Sequence, residues 1–428
     1  MAIFYALPPI GKQRAQSARR ELGKILWMEL NLSIRYTEHV TQSVIAQTDV
    51  VDSPQAGKLL GRQMSKAFAG EPPDAVILFA SAIYDYPVLM KELMAECSPK
   101  LLVGCSSAGE FTGGTPSGAS ACAVAIRSSE LAFAVGLGRG ITNDRLAAVK
   151  EMVKTFRGTT NSTYNYRSAL LLTDALAGYT EEFLEHLTVA TAGRYQVFGG
   201  GAGDDAKFVK THVFCGGEAV TDAAVALEIL SNKPLGIGVS HGWEPASQPM
   251  LVTEADGARI VSLNSAPAAE LFEDHAESKG QTFDAANPLP FFLHNIIGIE
   301  TPDGYKLRVP LSVQADGAVV CAAEVPVGAT VRIMSTSDKS AGEAAERATK
   351  AALHQVASEG PPALALFFDC AATRLRMGSG FDSEISGVAH ELQSTQFIGC
   401  NTYGQVARVD GQFSGFHNCT AVICIIPE

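Results

Sequence analysis

The chain has 428 residues, 46% hydrophobic, 18% charged and 7% aromatic, with a formal net charge of -12. That length builds two or three domain-sized units, each with its own core. The acidic balance excludes general nucleic-acid binding, which needs clustered Lys and Arg, and no apolar run approaches the roughly 20 residues that cross a bilayer. Residues 1–38, which include the one markedly basic stretch (12–24), match nothing later in the chain and read as an N-terminal extension; Met28 offers a second start. Helical spacing then puts Leu60, Met64 and Phe68 on one face of 55–68. Strand 75–79, helix 87–96, strand 100–104, the turn from Cys105 to Glu110 and strand 121–126 follow. Helix 144–156 opens a second run of the same order, with strand 169–172, helix 181–190, strand 195–198 and turn 199–204. Strand 235–243 ends in Ser240-His241-Gly242-Trp243, and Ala255-Asp256-Gly257 turns a hairpin into 260–263. A helix begins in 267–274, and further strands fill 305–334. Helix 341–357, strand 364–368, helix 381–392, strand 396–399, turn 400–405 and strand 420–426 make a third run.

The turns Val-Gly-Cys-Ser-Ser-Ala-Gly-Glu at 103–110 and Ile-Gly-Cys-Asn-Thr-Tyr-Gly-Gln at 398–405 are alike at most positions. The middle turn, Gly199-Gly200-Gly201-Ala202-Gly203-Asp204, is looser. The fold class is therefore α/β, a two-domain protein built from repeated units of helix, strand, helix, strand, Gly-rich turn and strand. The boundary falls near 233–245, giving domains 39–240 and 241–428. The turns should gather at strand ends, where α/β proteins form ligand crevices.

Nine cysteines lie scattered along the chain with no Cys-x-x-Cys pair. This predicts reduced cytosolic thiols, most of them small core hydrophobes, and no zinc ribbon or thioredoxin-like motif.

The run 73–80 together with 103–110 resembles the N-terminal domain of the FIST family. Ser240-His241-Gly242-Trp243-Glu244-Pro245 resembles that domain's end, and 399–405 with 416–420 resembles the end of the FIST C-terminal domain. The resemblance covers about 40–428 and implies a cytoplasmic sensory protein that binds a small-molecule or gaseous ligand, with amino acids among the ligands proposed for the family. One branch, the NosP-like proteins, binds haem, senses nitric oxide and regulates histidine kinases or cyclic-di-GMP enzymes. The chain has no kinase, GGDEF or receiver pattern, so the resemblance implies output through a separate partner; an oligomer is compatible with it.

His241 is the first candidate metal ligand, for haem iron, with Gly242 leaving room and Trp243 as an apolar wall. A hydrogen-bonded structural histidine is the equal alternative. His417, beside the third turn, is the runner-up, and His212 reads as structural. Cys105 and Cys400 occupy matching turn positions, as nucleophiles, ligands or packing residues, and the packing reading is favoured. The turns, with Gly104, Gly109, Tyr403 and Gly404, offer backbone N–H groups to an anion, or simply supply tight geometry. Asp204 and Asp205 read as decoration of an exposed loop. No complete catalytic set is visible, so a sensory binder is expected before a Cys-dependent enzyme.

Overall fold

The computed structural model describes residues 41–428 except 114, 118, 119, 161, 162 and 410–413, with backbone alone at 115–117. The expected extension at 1–38 lies outside the described residues.

One element order occurs three times. The first unit runs through strand Gln42–Thr48, helix Ser53–Ala67, strand Ala75–Ala80, helix Tyr86–Cys97, strand Leu102–Ser106, the hairpin strands Glu110–Thr112 and Thr115–Ser117, and strand Ala121–Arg127. The second has Ala132–Arg139, Arg145–Val153, Tyr166–Thr173, Thr180–Ala190, Gln196–Gly201, the hairpin strands Val213–Cys215 and Glu218–Val220, and Ala223–Ser231. The third begins with strand Gly236–Ser240 and resumes with helix Asp338–Gln355 and strand Pro362–Cys370. Helix Phe381–Leu392, strand Phe397–Thr402, hairpin strands Gln405–Arg408 and Gly415–His417, and strand Ala421–Pro427 complete it.

Each unit forms a six-stranded sheet in the same order: first strand, last strand, second, third, and then a hairpin from another unit. The first unit's hairpin completes the third sheet, the second's completes the first, and the third's completes the second. Only the strand pair flanking each crossover helix is parallel, as at Ile77↔Val103, Leu170↔Phe198 and Leu366↔Ile398. The other pairs are antiparallel.

Strands buried on both faces explain the continuous apolar runs. Ile77 and Phe79 point into a core shared by all three sheets, while Val76 and Leu78 pack beneath the first unit's helices. Leu366 and Phe368 alternate with Ala365 and Phe367 in the same way. Phe79 and Phe198 meet Phe368 at centroid distances of 5.8 and 6.3 Å. The helices are capped conventionally: Asp52, Asp85, Asp144 and Ser337 each accept a backbone N–H of the first turn.

Between Ser240 and Asp338 lies an insert with its own nine-stranded antiparallel sheet, helix Ala268–Lys279 and a core including Phe272, Phe292 and Ile333. Buried Arg308 ties it to the body. Its Nη1 donates to Phe416 O at 2.9 Å, and Nη2 lies 3.5 Å from Glu181 Oε2, which also accepts Phe416 N. A second seam joins Trp243, Ile296, Leu307 and Met334 to Cys370 and Cys419.

Candidate functional site

The three turns bind one another in a ring of backbone hydrogen bonds. Ala108 N donates to Asn401 O and Asn401 N to Gly109 O, at 2.9 and 2.8 Å. Tyr403 N donates to Gly201 O and Gly201 N to Gly404 O, both at 2.9 Å. Gly203 N donates to Ser106 O and Ser106 N to His212 O, both again at 2.9 Å. The turns' N–H groups are thus largely spent on each other rather than offered to an anion. Close approach explains the glycines. A Cβ on Gly109 (φ +137°) would lie 1.5 Å from Arg374 Nη1, and one on Gly404 (φ +99°) would lie 2.0 Å from the Phe416 ring.

Beside this ring an apolar cleft opens, with an interior volume of about 80 Å³. Its walls come from three parts of the molecule. The second unit gives Leu176 and Phe208, the insert Leu289, Leu293, Val309 and Leu311, and the third unit Cys370, Ala371, Ala372, Leu375 and Thr402–Gly404. Leu176, Phe208 and Leu375 are more than 40% exposed, an apolar rim left open to water. Tyr403 stacks on Phe208 at 4.4 Å, and its hydroxyl donates to Asp204.

Asp204 is buried, which corrects the expectation of an exposed loop pair. It accepts the N–H groups of Phe208, Val209 and Lys210 at 2.7–2.8 Å. Burial raises its pKa, but the Tyr403 hydroxyl and these N–H groups outweigh it and hold the carboxyl below its ordinary value. Asp205 accepts Ser81 Oγ and Ala82 N, both at 2.9 Å. The pair folds the loop under the cleft rim.

At the cleft floor stands Cys370, which the sequence reading passed over. The Cys419 thiol donates to it, and this contact does most to lower its pKa, to about 6. Burial opposes the shift, while N–H groups of Cys419 and Ala372 and the Gln405 side chain add to it. Neighbouring Asp369 and Glu384 are buried and hydrogen-bonded to each other. Burial first pushes both carboxyls up, with the negative charge of Cys370 adding for Asp369 and that of Asp369 for Glu384. Arg376 lies close by, 2.7 Å from Asp338 and 5.8 Å above the Trp243 ring.

Of the residues singled out in the sequence, Tyr403 and Gly404 line the cleft, and Trp243 packs in the cluster that contains Cys370. Gly109 accommodates Arg374 behind it. The others lie elsewhere. Cys105 and Cys400 are fully buried in the central core, hydrogen-bonded to each other among apolar neighbours, which supports the packing role. Gly104 presses on Leu78 O, and Gly242 on Ser340 O at the start of helix Asp338–Gln355. His417 is buried in a hairpin strand opposite Gln405.

The strand expected over 235–243 stops at Ser240, and His241 follows it in the turn towards the insert. Its Nδ1 accepts Trp243 N at 3.2 Å, and the ring also bonds the Tyr305 backbone. Burial, foremost, lowers its pKa. His241 thus stands as a buried, hydrogen-bonded histidine of this turn, away from the cleft. No histidine lines the cleft.

All nine cysteines are free, and all but half-buried Cys215 are buried. Among the described residues no group of three or more His, Cys, Asp or Glu side chains could hold a metal ion, and no helix is long and apolar enough to cross a membrane.

The FIST N domain matches residues 74–266, and the FIST C domain matches 268–408. Two uncharacterised proteins of Mycobacterium tuberculosis, MT0656 of strain CDC 1551 / Oshkosh and Rv0628c of strain ATCC 25618 / H37Rv, are each 25% identical over 372 residues. The match spans 84% of this chain and 92% of each relative. Among solved structures, cyanuric acid hydrolase from A. caulinodans aligns with 91% of this chain and 99% of its own, at 6% identity and a TM-score of 0.32. That likeness is too slight to carry fold or function.

Proposed function

The chain belongs to the FIST family, whose domains are generally sensory ligand-binding domains of signalling proteins, and we propose that its ligand site is the apolar cleft between insert and body. The supporting observation is the cleft's composition: one apolar surface drawn from the second unit, the insert and the third unit, with an uncovered rim. A molecule seated there touches all three and biases how the insert sits on the body. The ligand is small and largely apolar, because the lining is mainly aliphatic and Tyr403 spends its hydroxyl on Asp204. Output passes to a separate protein, and the family resemblance points to a histidine kinase or a cyclic-di-GMP enzyme in the cytoplasm.

The test is thermal unfolding during titration with 2-phenylpropan-2-ol, a compact apolar alcohol. The wild type should gain Tm saturably, and Leu375→Trp, which fills the cleft mouth, should gain none. Absence of any shift in the wild type counts against the cleft. A Soret band in protein from haem-supplemented cells, lost in His241→Ala, would instead restore the haem-sensing reading of the NosP-like branch.

A further inference from the structure

The second and third units treat one position alike. Thr173 pairs with Gly201 and Asp369 with Asn401, so the next residues, Asp174 and Cys370, stand at matching positions at the ends of equivalent strands. Asp174 accepts the N–H two residues on, from Leu176 at 3.2 Å, and the N–H of Asp222 at 2.6 Å. Cys370 accepts the corresponding pair, from Ala372 two residues on and from Cys419. Asp222 and Cys419 match too, as residues at positive φ (48° and 49°) just before the units' last strands. The third unit therefore holds a sulfur in a nest that, in the second unit, holds a carboxylate. Such a nest favours the anion, in keeping with the thiol pKa of about 6.

Cys370 is also not alone. Cys419 donates its thiol to it, and Cys370 lines the apolar cleft. A site for alkylation by an electrophile needs one thiol; a second within hydrogen-bonding reach serves oxidation and its resolution. We propose that Cys370 is a nucleophile towards organic hydroperoxides that enter the cleft, and that Cys419 is its resolving partner. This inference rests on the cleft reading only for the choice of an apolar peroxide.

Cys370 Sγ attacks the terminal peroxide oxygen, the O–O bond breaks, and Cys370 becomes a sulfenic acid. The departing alkoxide takes the proton that Cys370 gave up on ionising and leaves as an alcohol. Cys419 Sγ then attacks the sulfenic sulfur and forms the disulfide, while hydroxide departs with the Cys419 proton as water. Two thiols lose two electrons and one peroxide gains them.

The experiment treats reduced, folded full-length protein with one equivalent of cumene hydroperoxide, and in parallel with hydrogen peroxide. Thiols are counted after denaturation and disulfides mapped by mass spectrometry. Loss of two of the nine thiols is expected, as one Cys370–Cys419 disulfide. Cys419→Ser should stop at a dimedone-trappable sulfenic acid on Cys370, Cys370→Ser should keep all eight of its thiols, and the rate should rise with pH about a midpoint near 6. Retention of all nine thiols, or oxidation confined to half-buried Cys215, overturns the proposal. The two readings fail separately. If 2-phenylpropan-2-ol does not bind but hydrogen peroxide still forms the disulfide, the cleft reading falls and the thiol inference stands; if the alcohol binds and all thiols persist, the reverse holds.

Discussion

Glu110 is fully buried at the start of the first unit's hairpin, accepting Ser120 N at 3.1 Å, Ser120 Oγ at 2.9 Å and the Ser107 hydroxyl. Burial outweighs these donors and raises its pKa from 4.5 to about 7. A raised acid holds its proton more tightly in the folded state, so its contribution is fully present below pH 4.5 and is lost as pH rises through 7. The loss is on the order of 3 kcal/mol. Gln405 holds the matching place in the third unit, accepting Thr420 N and donating to Thr402 Oγ1. Glu110→Gln should therefore fold, and urea unfolding from pH 4.5 to 7 should show a flatter profile than the wild type; an unchanged slope refutes the assignment. At this scale the sequence was partly legible. The glycines of the turns were readable because a positive φ or a close approach leaves a compositional mark. Cys370 was not, because beyond Ala372 its donors come from Gln405 and Cys419, far along the chain, and no local spacing announces them. Lining up the strand ends Asp174 and Cys370 is the signal that finds it.

Between elements, Arg308 and Glu181 form the polar fastening of insert to body. Arg308 is 2% exposed, and with Glu181 removed its charge would keep hydrogen bonds to carbonyls alone. Glu181→Ala should cost about 3–5 kcal/mol, whereas a Glu181→Ala, Arg308→Met double variant should recover much of that loss. Equilibrium denaturation reads both, and strictly additive losses would contradict the pairing. Helices and core strands were legible from their 3.6-residue and apolar-run patterns, as at Ser53–Ala67 and Ala75–Ala80. The exchanged hairpins were not. Whether Glu110–Thr112 pairs with its own unit or with Phe397–Thr402 depends on contacts almost three hundred residues away, and its short strands carry no distinguishing pattern.

At the scale of the molecule, three sheets share one core and each is completed by another unit's hairpin. Strands cross the division expected at 240/241: Glu110–Thr112 serves the third sheet and Gln405–Arg408 serves the second. A fragment of residues 39–240 should therefore lack the cooperative unfolding of the whole chain and regain it on mixing with 241–428. Cooperative unfolding of the fragment alone, at the full-length Tm, would contradict the exchange. Phe368→Ala, at the meeting of Phe79 and Phe198, should cost about 3–5 kcal/mol and lower a single transition rather than split it. The central claim is that the cleft takes a ligand and couples the insert to the body. Hydrogen exchange with and without saturating 2-phenylpropan-2-ol tests it most directly. Slowed exchange is expected together at 289–311, 371–377 and 402–404, with no such change in Leu375→Trp. Unaltered exchange in all three segments of the wild type at saturation, or equal slowing in the variant, would contradict it.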